Sequence, residues 1–200
     1  MIAPLIRLIA GVQAHWRGCE PGSAQRIYFG NHSSHLDALV IWAALPEPLR
    51  RRTRPVAACD YWMAGRIRRW IAQSLLRAVL IERQRVTAAA NPLRAFDAAL
   101  DGGDSLILFP EGRRQDDEDA GMLPFKPGLW HLARTRPGVE LIPVHLANLN
   151  RMLPRGECLF VPLMATATFG APLPPPAADE DRAAFLDRAR AAVVALGEAP

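Results

Sequence analysis

Short apolar runs alternate with amphipathic stretches along most of this chain, and proline and glycine separate them. Ile2, Leu5, Ile6, Ile9 and Trp16 recur at helical spacing, so Met1–Trp16 reads as a short amphipathic helix. Arg26–Gly30 reads as a strand, His35–Leu45 as a helix stopped by Pro46, and Pro55–Cys59 as a second strand. A helix over Tyr61–Leu76, a strand over Ala78–Glu82 and a helix over Ala88–Leu100 follow, the last closed by Gly102-Gly103. Ser105–Phe109 is an apolar strand halted by Pro110, and a polar loop runs from there to Lys126-Pro127. Gly128–Arg136 reads as helix and Glu140–His145 as strand. Cys158–Phe169 reads as further strand, with Pro162 marking an edge or bulge. Pro172–Pro176 is a stiff spacer before a last amphipathic helix, Asp179–Leu196.

This order predicts an α/β fold, a single-domain layered structure with a largely parallel mixed sheet flanked by helices. Two hundred residues fit one such domain. The expected organisation is an N-terminal amphipathic helix over 1–17, a main domain over 18–173, and a spacer and C-terminal helix over 174–200 packing on that domain. Asn31-His32, Arg83, Glu111 and His145 each fall at or just past the C-terminal end of a predicted strand. In an open α/β sheet that edge is where ligands bind. A strand running antiparallel to the rest would send its group to the opposite rim.

Composition changes this picture in a few ways. The net charge is +4, and Lys126 is the only lysine beside 23 arginines. A GC-rich genome accounts for most of that bias, but guanidinium groups also grip phosphates bidentately and suit anionic bilayers. Nucleic acid is excluded as a partner, because no nucleic-acid fold signature or aromatic-interleaved basic stretch is present. Cys19, Cys59 and Cys158 are far apart and odd in number, which argues against a disulfide framework or a zinc site. No apolar run approaches the roughly 20 residues that span a bilayer, and the first residues lack a signal-peptide layout. The expectation is a cytoplasmic protein, peripheral on the inner face of the cell membrane. Within Tyr61–Leu76, Trp62, Met63, Ile67, Trp70 and Ile71 interleave with Arg66, Arg68 and Arg69. The stretch fits core packing with a wet basic face as well as it fits a membrane-interface surface.

Four segments carry chemistry. His32 is followed five residues on by Asp37, a base and a carboxylate able to fix its tautomer. Ser34-His35-Leu36-Asp37 fits a capping box, so a helix beginning near His35 aims Asp37 back toward His32. The same residues also fit a plain helix cap beside a surface histidine, and alone the pair is a weak signal. Phe109-Pro110-Glu111-Gly112-Arg113-Arg114 ends a strand in a turn where Gly112 permits close backbone approach and Arg114 can hold a phosphate. An ordinary turn reads equally well. Val79–Arg83 is a buried strand ending in a guanidinium, and Leu141–Val144 is an apolar strand interrupted by Pro143.

Taken together, these blocks resemble those of the glycerolipid acyltransferase family, which includes 1-acylglycerol-3-phosphate acyltransferases. The family's ordered blocks match His32 and Asp37, then Arg83, then Phe109 to Arg114, then Ile142-Pro143-Val144, with Phe125-Lys126-Pro127-Gly128 resembling its intervening segment. The resemblance spans about Ile27–Leu173. It implies acyl transfer from a thioester, acyl-CoA or acyl-carrier protein, to a lysolipid hydroxyl, most simply that of 1-acylglycerol-3-phosphate. His32 would be general base and Asp37 its orienter. Arg83, Glu111, Gly112 and Arg114 would form the phosphate-bearing acceptor pocket, and Pro143 would line the acyl-donor side. No metal and no tightly bound cofactor are implied. Arg113 and Gln115 stand where the family has threonine and serine, which keeps another lysolipid or an amino-acid lipid open as acceptor. A non-catalytic lipid-phosphate binding module needs no oriented base, and a serine hydrolase finds no Gly-x-Ser-x-Gly elbow.

Overall fold

The computed structural model describes residues 11–34, 36–82, 91–115, 121–149 and 164–198. Arg83, His35, Cys158, Pro162 and most of the expected N-terminal helix lie outside them. Its strands are β1 (Gln13–Trp16), β2 (Arg26–Gly30), β3 (Thr53–Ala58), β4 (Val79–Ile81), β5 (Ser105–Leu108), β6 (Glu140–Ala147) and β7 (Thr166–Phe169). Among the described residues they form one sheet in the order β1-β7-β6-β2-β5-β3-β4. The five strands from β6 to β4 run parallel. β7 is antiparallel to β6, and β1 runs with β7. The sheet is therefore largely parallel and mixed, as the alternation of elements predicts.

Period-two alternation splits each central strand between two cores. Tyr28, Ile107, Ile142 and Val144 face α1 (Asp37–Ala44) through Val40 and Ile41. Ile27, Phe29, Leu106, Leu108 and Leu141 face the opposite layer, built from α5 (Pro92–Asp101), α6 (Gly128–Thr135) and α7 (Arg182–Glu198). That layer contributes Phe96, Leu129, Leu132, Phe185 and Val193, the last four fully buried. At the strand entrances the Arg26 guanidinium pairs with Glu140 at 2.7 Å, joining β2 to β6 at the first residue of their register. Leu173 bridges back to Leu141, and α7 then packs on β6.

Three elements differ from expectation. Gln13–Trp16 is a strand, so the expected N-terminal helix does not extend through these residues. β7 supplies backbone partners, and the Trp16 indole stacks on Phe169 with centroids 4.1 Å apart. The helix expected over Tyr61–Leu76 is broken near Gly65, a poor helix former. It becomes α3 (Cys59–Trp62), α4 (Arg66–Trp70) and a π-helical turn over Ile71–Leu75. The helix expected from Ala88 has its cap at Asn91, whose side chain accepts from Leu93 N at 3.0 Å, and Pro92 occupies its first turn. The short α2 (Glu47–Arg51) follows Pro46.

Candidate active site

β2 and β6 run parallel, and their hydrogen-bonded register ends at Gly30 and Val144. Asn31 continues it with its side chain, donating to Leu146 O at 3.0 Å and accepting from Leu146 N at 2.8 Å. Beyond this side-chain zip the chain turns into α1. The reach-back half of the capping-box pattern is realised there, while Leu36 at the helix cap makes no side-chain cap bond. Ser34 Oγ accepts from Leu36 N, while Asp37 Oδ2 reaches back to accept from Ser34 N at 2.9 Å and Ser33 N at 2.7 Å. The same oxygen lies 2.8 Å from His32 Nδ1. Asp37 is fully buried, whereas the His32 side chain keeps 20% exposure. An accepting carboxylate at Nδ1 places the proton there and leaves Nε2 as the basic nitrogen.

The Phe109–Gln115 segment holds His32 from the other side. The Phe109 ring stacks on the imidazole with centroids 4.4 Å apart. Glu111 Oε1 accepts from His32 N at 2.7 Å, and Gln115 N donates to His32 O at 2.8 Å. Glu111 Oε2 accepts from Leu123 N at 2.9 Å, so both of its oxygens are engaged by backbone. Burial is the main influence on this carboxyl and raises its pKa, against the lowering effect of the two N–H bonds. Gly112 has φ +69°, and a β-carbon there would sit 2.6 Å from Lys126 Nζ. A side chain at 112 would thus be strained by the backbone and would displace the lysine packed over the turn.

A cleft of ≈ 430 Å³ opens beside this assembly, lined by His32, Ser33, Glu111, Met122, His145 and, from the last turn of α7, Val194, Gly197 and Glu198. His145 lies on the same strand face as Pro143, and burial lowers its pKa. Gly197 presses against it, since a β-carbon at 197 would come within 2.5 Å of His145 Nε2.

Of the residues singled out from sequence, Asp37 and Glu111 come together at His32, and Gly112 follows Glu111 on the turn beneath Lys126. Arg114 lies on the same turn, half-exposed, outside the lining of this cleft. Pro143 is buried in β6 level with Phe29, and its carbonyl accepts from Gly170 N at 2.9 Å. Arg83 lies outside the described residues. The sequence placed His145 on the ligand-binding rim, as the cleft lining bears out, but left Phe109 and Gln115 without a part in holding His32 and the end of α7 without a part in the site. Strand alternation from Pro143 pointed to the face of His145, but nothing local pointed to α7.

Comparison with known proteins agrees with this geometry. The Acyltransferase family model matches residues 17–147, which include His32, Asp37, Glu111, Gly112, Arg114 and Pro143 but stop short of β7 and α7. The chain is similar to the 1-acyl-sn-glycerol-3-phosphate acyltransferase of Limnanthes douglasii, 28% identical over 177 residues, which is 88% of this chain and 58% of that protein. It is also similar to the 1-acyl-sn-glycerol-3-phosphate acyltransferase alpha of Homo sapiens, at 29% identity over 92% of this chain and 64% of that one. The chain thus spans less than two thirds of the length of these curated relatives. Its fold resembles the crystal structure of the 1-acyl-sn-glycerophosphate (LPA) acyltransferase PlsC from Thermotoga maritima, with a TM-score of 0.69 and 21% identity, covering 100% of this chain and 81% of that one. The breadth of the family match, together with a histidine–aspartate pair at the shared edge of the parallel strands, establishes that this chain belongs to the Acyltransferase family.

Proposed function

We propose that this protein transfers a fatty acyl group from a thioester, acyl-CoA or acyl-carrier protein, to the free hydroxyl of 1-acylglycerol-3-phosphate, giving phosphatidic acid. The observation that carries this reading is the His32–Asp37 contact of 2.8 Å, with the imidazole bordering the cleft. The acceptor oxygen bonds to the thioester carbonyl carbon as its proton passes to His32 Nε2. The carbon–sulfur bond then breaks, and the thiolate leaves as a thiol carrying that proton. Asp37 holds the ring and stabilises the imidazolium between the two steps. No metal or tightly bound cofactor takes part in this scheme. Arg83 and Arg114 are the phosphate-holding groups in this reading, with Lys126 over Gly112 as a further cation beside the same turn. Pro143 lines the acyl-donor side in this reading, acting through the strand in which it is buried. The acceptor is met at an anionic membrane surface on the cytoplasmic face. Among the described residues no helix is long and apolar enough to cross a membrane.

The test is purified protein with labelled acyl-CoA and a panel of lysolipids. His32→Ala should lower turnover by about 10²–10⁴-fold with the fold retained, and Asp37→Asn should do comparable damage. Near-normal turnover in a folded His32→Ala protein would remove the mechanism. Arg113 and Gln115, which replace the residues typical of the family, favour a second reading of the same chemistry with another lysolipid or an amino-acid lipid as acceptor. The product headgroup decides between them.

A further inference from the structure

Arg66, Ile67, Arg68, Arg69 and Trp70 are five consecutive exposed residues, and no residue of α4 is buried. Ile67 is 76% exposed and Trp70 52%, two of the three most exposed large apolar side chains among the described residues. They stand on an anchored base. Directly after them Ala72 and Leu76 are buried in the core that α1 covers, with Ile71 and Leu75 packed against it. A rigid foot therefore presents an isoleucine and a tryptophan to the outside, surrounded by guanidinium groups.

The position of this foot matters as much as its composition. Register places Tyr28 beside Ile107 and Ile107 beside Pro55, so the strand direction carries His32 and Cys59 to about the same height. The chain leaves β3 at that height and rejoins the sheet at Val79, beside Val56. The excursion from Cys59 to Ala78 thus starts at the edge of the sheet that carries His32 and returns to the strand entrances, where Arg77 O accepts from Arg54 Nε at 2.6 Å and Arg77 Nη1 donates to Arg51 O at 3.2 Å. It holds four arginines against one aspartate, Asp60. A tryptophan and an isoleucine standing among guanidinium groups match the boundary between anionic headgroups and acyl chains, where the apolar tips enter and the cations remain with phosphate.

We propose that Arg66–Trp70 is the surface by which this protein docks on an anionic phospholipid bilayer. This deepens the proposed function, and rests on it only for the purpose of the docking, which is to bring the protein to the membrane that holds its lysolipid.

The experiment uses the full chain and extruded vesicles of phosphatidylcholine with or without phosphatidylglycerol. Ile67→Ser/Trp70→Ser should weaken partitioning onto the mixed vesicles by about tenfold or more, through loss of apolar burial. Arg66→Gln/Arg69→Gln should weaken it by roughly tenfold or more on the mixed vesicles and little on phosphatidylcholine alone. Brominated acyl chains should quench a fluorescence component that Trp70→Phe removes. All altered side chains are exposed, so circular dichroism and Tm should match the parent protein, and turnover of a monomeric short-chain lysolipid should be kept. Parent-like partitioning of both double variants overturns the proposal. So does a shift in oligomeric state in Ile67→Ser/Trp70→Ser without a change in vesicle binding, which would make the foot a protein contact. Vesicle partitioning is read without any acyl transfer, so a parent protein that docks as expected yet acylates none of the lysolipids overturns the proposed function and leaves the docking surface standing.

Discussion

Glu111 shows how one residue ties two loops to the chemistry. Its carboxylate accepts from His32 N and Leu123 N, and it is 3% exposed, so both oxygens tie His32 to the 121–123 segment. Glu111→Gln replaces one accepting oxygen by an amide donor that must face a backbone N–H. Leaving such a buried donor unmatched costs about 1–3 kcal/mol. The expected outcome is a Tm lower by roughly 2–12 °C, at about 2–4 °C per kcal/mol for a chain of this size. The same change should reduce kcat more than it raises KM, because His32 loses its backbone anchor while the acceptor pocket remains. Calorimetry with steady-state kinetics checks this, and an unchanged Tm with a raised KM would instead mark Glu111 as a substrate ligand.

At the scale of elements, the end of α7 completes a cleft whose other walls come from the strand edge. Gly197 makes this possible. In most helices, glycine to alanine stabilises by about 0.5–1 kcal/mol. At 197 the new methyl would meet the His145 ring at 2.5 Å, so the last turn must fray or the imidazole must move. Gly197→Ala should therefore lower Tm or leave it without gain, and should lower acceptor kcat/KM by narrowing the cleft. Gly128→Ala at the start of α6 is the matched control. A β-carbon there meets nothing within 4 Å, so Tm should hold or rise. A stabilised Gly197→Ala protein with parent kinetics would place α7 outside the working site.

For the molecule as a whole, the sheet sets which titrating groups lose water. The C-terminal part of β6 passes beneath α7, and burial there lowers the His145 pKa from its usual value near 6.5. In the unfolded chain His145 takes up a proton below about pH 6.5, whereas in the fold it does so only at lower pH. The unfolded state then binds more protons, so the contribution of His145 to stability is present above about pH 6.5 and is lost as pH falls through the folded value. Glu111 acts in the opposite sense. Its raised pKa gives a contribution present below about pH 4.5 and lost as pH rises through the folded value. Tm measured from neutral to mildly acid pH should fall less steeply in His145→Gln than in the parent protein. Parallel profiles would show that the imidazole stays hydrated.

Strand β2 ends at Gly30 as the apolar run and its glycine indicate, and Asp37 reaches back to Ser34 N, three residues before it, as half of the capping pattern requires. Such features depend on neighbours along the chain, so the alternating elements, the parallel sheet and the His32–Asp37 pair were legible without coordinates. Gln13–Trp16 was misread because its partner, Thr166–Phe169, lies some 150 residues away and supplies the backbone bonds that local spacing cannot show. The duties of Glu111 and Gln115 were hidden for the same reason, since each holds His32 across about 80 residues of sequence. Sequence by itself determined which residues could act as base, orienter and phosphate grip, because those follow from side-chain chemistry and short-range spacing. Tertiary structure alone decided that β5 delivers the clamp, that α7 closes the cleft over His145, and that Ile67 and Trp70 are left uncovered. Burial and long-range hydrogen bonding are properties of the packed chain and have no local signature in the order of its residues.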